Sequence, residues 1–527
     1  MSWESEAEEI RKRRELARGQ GGGEAIARQH AKGRLTIRER IGGLLDADSF
    51  REQGPAAGVA EVDQAGNLTG FTPANFVLGT GKIEGRPCVV GGEDFTLQGG
   101  SPNVAGLRKS VYAEELACTL KVPLIRLHEG GGGSVTGAGG KKGDKQGGEP
   151  AGDPVFAQPR FASVARALGM VPVAAGAMGP VAGLPASRLV ASHFSVMTRH
   201  TAQVLTAGPA VVERAMREAA TKEELGGVDV HGRSGVIDNV AEDEQDAFGQ
   251  IRRFLSYLPP NVWELPPVEE SAEEGADDPD RKEEALISIV PRDRRTVFDM
   301  RVLIGHVLDR ESFFEMGRGF GPGLIVGLAR LAGLPVGIMA NDCRYYAGAM
   351  TAAAAQKARR LMELCQTFHL PIVNFVDEPG FMIGLEAEKA ATIRHGTAAV
   401  LTAATCIVPW ASVIVRKLFG VAGAAHFGPD AYVLSWPSAE RGALPVEGGV
   451  AVAFGREIAA AENPEERRRE LEEAFAAGQS PFPRAESFSV HDLIDPRETR
   501  PALCGWVETI RPLLPHLLGP TTFPYRP

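Results

Sequence analysis

The sequence predicts a mixed α/β protein made of one structural unit that has been duplicated and has diverged. Two prolines 36 residues apart recur with an offset of 248 residues, first as Pro87 and Pro123 and then as Pro335 and Pro371. Each second proline opens an apolar run typical of a buried strand, and each run ends in a turn that contains glycine. A spacing repeated over such a distance indicates two copies of a strand–helix–strand unit.

Other residues fall at equal places in the two copies. Glu129 and Asp377 each stand six residues after the second proline, where a strand is predicted to end. Gly183 and Gly420 each stand 11 residues after the proline of a Val-Pro pair. The phrase IGGLLDADSF returns as IGHVLDRESF, which marks the beginning of each unit. These agreements extend the predicted duplication over most of both halves.

Length and charge restrict the class of protein. A chain of 527 residues exceeds what one core supports, so two domains of about 250 residues are expected. A net charge of −10 argues against nucleic acid as a partner, because phosphate binding needs a basic surface. The N-terminus is charged from its fourth residue, so no secretory signal is expected. The uncharged run 396–415 contains Pro409, which favours a core helix leading into a core strand over a membrane span.

Cysteine and histidine usage indicates where the protein works. The cysteines lie far apart and form no CxxC pair, which is typical of buried thiols in a reducing cytoplasm. The histidines form no HExxH or HxxH pattern, so no metal site is predicted. We therefore expect a cytoplasmic protein with neither a membrane nor a metal ion as a partner. The six cysteines are Cys88, Cys118, Cys343, Cys365, Cys406 and Cys504.

Composition divides the chain into three parts. Residues 1–265 form the predicted first domain, and residues 286–527 form the second. Between them, residues 266–285 are proline-flanked and strongly acidic, as expected for a linker. Within the first domain, residues 1–45 are predicted to hold a charged helix, a glycine break at 21–23 and one further helical segment.

Three arginines in that further segment are candidate binding residues. Arg34, Arg38 and Arg40 form either a solvated helix face or a cationic ledge for a phosphate-bearing ligand. Their spacing alone leaves both alternatives open.

Glycine-rich segments after predicted strands carry the strongest functional signal. The segment 130–143 is not a phosphate-binding P-loop, because Lys142 follows Gly140-Lys141, and it is not a nucleophile elbow, because Thr136 stands where glycine is needed. Glycine after a strand leaves backbone N–H groups unencumbered, and two such groups can stabilise one oxyanion. A single cluster could equally be a tight turn without function. Matching clusters in both copies favour two oxyanion holes and two carbonyl substrates.

Several long segments identify a family. The segments ARQHAKGRLTIRERI, GRPCVVGGEDFTLQGGS, FVDEPGF, IRHGTAAVLTAATCIVPWASVIVRKLFG and LSWPSA closely resemble the carboxyltransferase (beta) subunits of biotin-dependent acyl-CoA carboxylases. Propionyl-CoA and methylcrotonoyl-CoA carboxylases are the most similar types, and the resemblance covers residues 23–500. It implies two tandem crotonase-like domains in a homohexamer, a trimer of dimers. Each active site would lie between the N-domain of one subunit and the C-domain of another.

The resemblance also implies the chemistry. The first domain would bind a coenzyme A thioester, and the second would bind carboxybiotin. The biotin would be attached to a biotin carboxyl carrier protein and carboxylated by a biotin carboxylase, both separate from this chain. The enolate of the acyl-CoA would take up the carboxyl group, with the biotin nitrogen as the base.

The resemblance also implies which residues form the site, from their positions in the matching segments. The first oxyanion hole, for the thioester oxygen, corresponds to Gly131 and Gly132. The second, for the ureido oxygen of biotin, corresponds to Val421 and Ala422. The further positions implied for substrate binding are Gly133, Gly183, Gly420, Gly423, Ala424, Arg34, Arg38 and Arg40.

This chain departs from the family pattern at both holes. After the first hole, an arginine-containing stretch is replaced by a long loop rich in glycine and lysine. At the second, Gly423 and Ala424 replace a tyrosine-aspartate pair that helps to shape the acyl pocket, and Val421 replaces a frequent glycine. The changes imply a bulkier or branched acyl group and an altered biotin side.

Two other functions fit the same residues. One is the alpha subunit of a biotin-dependent acyl-CoA decarboxylase that works with a membrane partner. The other is a non-catalytic paralogue that assembles with an active beta subunit, and its signature would be the altered segment 130–143 together with Val421.

Overall fold

Two compact units make up the chain. The first comprises Met1–Val262 together with Pro524–Pro527, and the second comprises Trp263–Phe523. The last residues return to the first unit because Tyr525 is buried there, with its ring centroid 4.6 Å from that of His193. The computed structural model describes residues 2–132, 161–269 and 277–527.

One mixed sheet organises the first unit. The strands of this unit are β1 (Arg51–Glu52), β2 (Gly58–Val62), β3 (Leu68–Pro73), β4 (Phe76–Ile83), β5 (Arg86–Glu93), β6 (Leu124–Gly130), β7 (Val173–Ala182), β8 (Phe194–Thr198), β9 (Gln203–Leu205) and β10 (Asn239–Ala241). The order is β1-β4-β5-β6-β7-β8-β10 with β9 beside β7, while β2 and β3 form a separate hairpin. The β1–β4 and β4–β5 pairs are antiparallel, and the pairs from β5 onward are parallel.

Helices cover this sheet. They are α1 (Glu4–Arg18), α2 (Gly23–His30), α3 (Ile37–Leu44), α4 (Val104–Leu120), α5 (Ala162–Leu168), α6 (Leu184–Val190), α7 (Pro209–Met216), α8 (Lys222–Gly226), α9 (Val228–Ser234) and α10 (Glu244–Ser256). Helix α4 packs on β4 and β5, and α10 packs on β7 and β8. Such cover is expected for parallel strands, which are usually buried on both faces.

The second unit repeats the sheet. Its strands are β11 (Phe314–Met316), β12 (Leu324–Leu331), β13 (Leu334–Asn341), β14 (Ile372–Glu378), β15 (Trp410–Phe419), β16 (Tyr432–Ser435), β17 (Glu440–Gly442) and β18 (Asp492–Leu493). The order is β11-β12-β13-β14-β15-β16-β18 with β17 beside β15, and the antiparallel pairs are again the first two.

The helices of the second unit occupy similar places. They are α11 (Met300–Val307), α12 (Ala352–Thr367), α13 (Leu385–Lys389), α14 (Thr392–Ala404), α15 (Val446–Ala460), α16 (Pro464–Ala477), α17 (Phe482–Glu486) and α18 (Thr499–Ile510). Helix α12 packs on β12 and β13 as α4 does on β4 and β5. The run 396–415 is divided between α14 and β15, as predicted. Across the ranges that the structure describes, no helix has the length and apolar composition required to cross a membrane.

Side-chain contacts confirm the duplication in detail. Asp46 accepts hydrogen bonds from the amides of Glu84 and Gly85 at 2.9 and 2.8 Å. Asp309 does the same for the hairpin turn 332–333, at 3.1 and 2.8 Å. The two turns are 248 residues apart, and the aspartates are the matching residues of the repeated phrase. The predicted duplicated α/β unit is therefore confirmed.

The N-terminal segment differs from its prediction. Where one helical segment was expected, the chain forms α2 and α3, with a break at Gly33. Gly33 has a positive φ of 70°, which ends the first helix. Thr36 and Glu39 then form a reciprocal capping box that starts the second.

The predicted linker is attached to the second unit in its described parts. Arg500 donates hydrogen bonds to the carbonyls of Asp277 and Asp278 at 2.6 and 2.8 Å. Arg330 donates to the carbonyl of Pro267 at 3.1 Å. The acidic composition of 266–285 therefore does not make all of it a free tether, because buried arginines take up its carbonyls.

A buried ion-pair network lies beside the end of β6. The Glu129 carboxylate is fully buried and contacts Arg34 at 2.5 Å and Arg40 at 2.7 Å. Gln29 donates a further hydrogen bond to it. Arg40 is shared with Glu244 of α10, to which it donates two hydrogen bonds at 2.7 and 2.9 Å. This network ties the N-terminal helices to the sheet.

The three candidate arginines are accordingly neither a solvated face nor an exposed ledge. Arg34 is 6% exposed and Arg40 is fully buried. Arg38 is partly buried and makes two hydrogen bonds to Glu52, both at 2.9 Å. Buried guanidinium groups need carboxylate partners, and these already have them. We therefore do not retain Arg34, Arg38 and Arg40 as substrate-binding residues.

The second unit repeats the network with different partners. Asp377, at the place equal to Glu129, is fully buried and accepts hydrogen bonds from two nitrogens of Arg416 at 3.2 and 2.9 Å. The amide of Lys417 donates to the same carboxylate at 3.0 Å. The matching acids noted in the sequence therefore anchor each central strand.

Buried thiols and a perturbed lysine complete the picture of the core. All six cysteines are buried and unpaired, as predicted. Burial raises the pKa of Cys88 to about 12 and that of Cys504 to about 11. Burial also lowers the pKa of Lys109 to about 8, although Glu52 opposes this effect. The Lys109 ammonium donates to the carbonyl of Gly54 at 3.3 Å.

We expect Lys109→Met to stabilise the first unit at pH 7 by about 1–3 kcal/mol, because it removes a partly buried charge. The folded pKa of about 8 lies below the unfolded value of about 10.4. The penalty is therefore complete below pH 8 and is relieved as pH rises through this window. Urea unfolding of both forms should converge towards pH 10.4. The exposed control Lys222→Met should change the midpoint little, and equal shifts in both variants would contradict the assignment.

We expect Glu129→Gln to destabilise the first unit by about 3–5 kcal/mol, since it leaves the buried Arg34 without a counter-charge and Arg40 with Glu244 alone. The measurement is again the urea midpoint. The control Glu24→Gln removes an exposed carboxylate 3.7 Å from Arg28 and should cost less than about 1 kcal/mol. A stable Glu129→Gln protein with weakened binding of a coenzyme A thioester would return Arg34 and Arg40 to the list of ligand-binding residues.

Candidate active site

The central parallel strand of each unit ends in a turn that contains glycine. Strand β6 is followed by Gly131 and Gly132, and β14 is followed by Pro379 and Gly380. Gly132 and Gly380 are 248 residues apart, so they are equivalent. The duplication therefore places a glycine at the same point beyond both strands.

In the first unit this glycine touches a second one. A methyl group added to Gly132 would lie 2.7 Å from the Cα of Gly183, and one added to Gly183 would lie 2.6 Å from the Cα of Gly132. Both distances are below any normal carbon–carbon contact, so only glycine fits at either position. The structure therefore brings together two of the predicted site residues from separate segments of the chain.

The second glycine turn has the same geometry in both units. Gly183 precedes α6 and Gly420 precedes the short 3₁₀ helix Val421–His426, each with a φ of 65°. Their amides donate to the carbonyls of Leu205 and Gly442, at 3.3 and 3.2 Å. A side chain at such a positive φ would be strained, which accounts for glycine at both places.

Backbone amides are what these turns can offer to a ligand. The first amides of a helical segment have no acceptor within that segment. After Gly420 these are the amides of Val421 and Ala422, the two residues predicted for the second oxyanion hole. Two neighbouring amides of this kind suit an oxygen that carries negative charge.

The first predicted hole is only partly available within its own unit. The amide of Gly131 donates to the carbonyl of Gly99 at 3.3 Å, so it is already engaged. Gly132 is exposed, and Gly133 lies outside the described residues. The amide of Gly132 is therefore the more suitable donor of the predicted pair.

The residues after Gly420 divide into two sets. The side chains of Val421, 69% exposed, and of Ala424 face outward. Ala422 and Gly423 are buried, and a methyl group on Gly423 would lie 2.7 Å from Cδ1 of Leu418. Ala424 can therefore contact a ligand, whereas Gly423 is a packing position.

Buried carboxylate–histidine pairs stand near both turns, and our sequence analysis did not identify them. In the first unit Glu93 lies 3.1 Å from Nδ1 of His128. Burial alone would raise the pKa of Glu93, but the adjacent imidazole holds it below the usual value. In the second unit Glu378 lies 3.1 Å from Nε2 of His426. The offset of 248 residues could have identified Gly380 as the equivalent of Gly132. No local sequence pattern relates Glu378 to His426.

Known proteins resemble the whole chain. A family model described as the carboxyl transferase domain matches residues 28–509. The propionyl-CoA carboxylase carboxyltransferase subunit of Haloferax mediterranei is 34% identical over 513 residues, 95% of each chain. The methylmalonyl-CoA decarboxylase subunit alpha of Veillonella parvula is 31% identical over 489 residues, 92% of this chain and 91% of the relative.

A solved structure agrees over the same length. Crystalline transcarboxylase 12S, a hexamer with methylmalonyl-coenzyme A and methylmalonic acid bound, matches with a TM-score of 0.84 and 29% sequence identity. The match covers 100% of this chain and 98% of that chain. The predicted fold is thereby confirmed along the full length, and the chain belongs to the carboxyl transferase domain family.

Proposed function

We propose that this chain is the carboxyltransferase subunit of a biotin-dependent acyl-CoA carboxylase. It transfers a carboxyl group from carboxybiotin on a carrier protein to the alpha or vinylogous carbon of an acyl-CoA, through an enolate. The observation that carries the proposal is the glycine turn repeated in two units, once at Gly132 and Gly183 and once at Gly380 and Gly420. Two oxygens that gain negative charge need two such sites.

The first unit, within 1–265, binds the acyl-CoA. Its turn accepts the thioester oxygen, which becomes negatively charged when the enolate forms. The amide of Gly132 donates to this oxygen, and the close approach of Gly183 excludes any side chain from the turn. Removing one such donor commonly costs about 10²–10³-fold in rate.

The second unit, within 286–527, binds the biotin. Biotin supplies the activated carboxyl group. The amides of Val421 and Ala422 suit its ureido oxygen, and Gly420 lets the backbone turn there without strain. Ala424, which is exposed on the same segment, borders the pocket for the acyl chain.

The chain acts with other proteins. A biotin carboxylase and a biotinylated carrier protein supply the carboxyl group, and the chain assembles as a homohexamer of crotonase-like domains with active sites between subunits. The hexameric transcarboxylase 12S supports this assembly. Six buried, unpaired cysteines favour a cytoplasmic location.

A second function has one specific observation in its favour. The relative from Veillonella parvula is a methylmalonyl-CoA decarboxylase subunit alpha. The same two sites would then run the transfer in reverse, from a carboxyacyl-CoA to biotin.

An activity panel tests both functions. The protein is mixed with biotin carboxylase, biotinylated carrier, ATP and labelled bicarbonate, and incorporation is followed for acetyl-, propionyl-, methylcrotonyl-, geranyl- and longer acyl-CoAs. We expect incorporation into at least one of them. Transfer only from carboxyacyl-CoA to biotin would favour the decarboxylase, and absence of transfer in either direction would favour a non-catalytic subunit.

We expect Gly132→Ala to lower kcat/KM at least about 10-fold while the oligomer survives, because the new methyl group displaces the turn that carries the amide donor. The matched control is Gly249→Ala in α10, where an added methyl group meets no atom within 4 Å. Size-exclusion chromatography reports assembly. Full activity of the Gly132 variant would remove this turn from the mechanism.

We expect Ala424→Asp to narrow the range of accepted acyl chains, because a charged group at the pocket disfavours long apolar chains. The panel above, repeated with this variant, measures the change. The control Ala451→Asp places the same group on an exposed part of α15. An unchanged chain-length profile in Ala424→Asp would show that this residue does not line the pocket.

A further inference from the structure

A buried polar cluster lies directly behind the glycine turn of the second unit. It consists of Asn341, Asn374, Glu378 and His426, which come from β13, β14 and the 3₁₀ helix. Each of these four side chains is at most 1% exposed. We call them the Glu378 cluster. Burying so many polar groups costs stability unless each is well bonded, so their arrangement needs an explanation.

Glu378 connects the two segments that form the proposed biotin side. Its Oε1 accepts the amide hydrogen of Gly380 at 2.9 Å. Its Oε2 lies 3.1 Å from Nε2 of His426 and accepts from Nδ2 of Asn341, also at 3.1 Å. One carboxylate therefore holds both the turn after β14 and the end of the helix that begins at Val421.

The orientation of His426 follows from its neighbours. Nδ2 of Asn374 donates to the backbone carbonyl of His426 at 2.9 Å and also lies 3.0 Å from the ring Nδ1. Nδ1 also lies 3.4 Å from Oδ1 of Asn374, and we assign Nδ1 as the acceptor from the shorter contact, with the ring hydrogen on Nε2 facing Glu378. The hydroxyl of Ser412 donates to the same backbone carbonyl at 2.6 Å. The C-terminal end of the 3₁₀ helix is therefore held by three side chains.

The first unit supports its turn differently. Gly130 stands at the place equal to Glu378, so no carboxylate is available there. Gly132 instead packs so closely against Gly183 that a methyl group added to Gly132 would lie within van der Waals distance of the Cα of Gly183. At Gly380 the nearest atom to such a methyl group is 4.0 Å away. Hydrogen bonds hold the turn of the second unit where close packing holds the first: the Gly380 carbonyl accepts from the amide of Met350 at 3.1 Å, and its amide donates to Glu378.

We propose that Glu378 is a positioning residue for the biotin side of the site. It holds Gly380 and the segment Val421–His426 in register, so that the amides of Val421 and Ala422 meet one oxygen. The inference rests on the proposed function and extends it to residues that do not touch the substrate themselves.

Glu378→Gln is the decisive variant because it keeps the shape and removes one acceptor. Asn341 cannot turn over to adapt, since its Oδ1 accepts the amide of Asp377 at 3.0 Å. In one orientation of the new carboxamide, its NH2 group faces the Gly380 amide. In the other orientation, its NH2 group faces the donors of Asn341 and His426. One of the two segments therefore loses its partner.

Hydrogen exchange tests the positioning without any substrate. We expect amides within 420–428 of Glu378→Gln to exchange about 10-fold faster than in the wild type, while those of β12 and β13 are unchanged. The control Asp309→Asn removes a buried carboxylate that holds the turn 332–333 of the same unit. It should speed exchange there and leave 420–428 alone. Unchanged exchange at 420–428 in Glu378→Gln overturns the proposal.

Kinetics test the consequence for the reaction. We expect Glu378→Gln to raise the KM for the biotinylated carrier about 10-fold and to leave the KM for acyl-CoA within about twofold. Equal increases in both, or none, would overturn the role. If the wild type itself transfers no carboxyl group, the proposed function fails, and the exchange experiment still decides whether Glu378 orders the segment.

Two further variants test the same contacts, and the milder of them guards against loss of folding. Ser412→Ala removes one bond to the His426 carbonyl and should raise the carrier KM by about threefold. His426→Gln combined with Glu378→Gln should have an effect smaller than the product of the two single effects, because the two side chains share one contact. Multiplying effects in the double variant, or a Ser412→Ala protein with wild-type constants and exchange, would contradict the proposal.

Discussion

The turns that follow the central strands need backbone that no side chain covers, and this requirement constrains the residues around them. At Gly132 and Gly183 two main chains approach so closely that neither position admits a methyl group. Such an approach leaves amide hydrogens without side chains to cover them, and the free energy for holding it comes from the surrounding core. The sheet, its covering helices and the buried ion pairs beside β6 and β14 can all be understood as supports for these short turns.

The two units meet this constraint with different chemistry. In the first, Glu129 draws two arginines from the N-terminal helices into the protein, and Gly183 packs directly on Gly132. In the second, Asp377 pairs with Arg416 of the adjacent strand, and Glu378 supplies a hydrogen bond to the turn. A duplicated fold can therefore keep the path of its backbone while its polar interior diverges. The divergence agrees with our proposal that the two turns receive different substrates.

Periodic and repeated features were predictable from the sequence, and contacts between distant segments were not. The offset of 248 residues predicted both sheets, and the Val-Pro spacing predicted Gly183 and Gly420 as equivalent turns. The arginines were misjudged because Glu129 lies 95 residues beyond Arg34, and helical spacing says nothing about such a partner. The Glu378 cluster was missed for the same reason, since His426 is 48 residues away and the first unit has glycine where Glu378 stands.

The return of the chain terminus to the first unit has a consequence for biosynthesis. Tyr525 is 3% exposed beside His193, so the first unit contains a residue that follows the whole second unit in the chain. Domains generally fold in the order in which the ribosome releases them. Here the first unit emerges early but lacks the Tyr525 ring until the entire second unit has been translated. Its surface around His193 therefore lacks the Tyr525 ring throughout that interval.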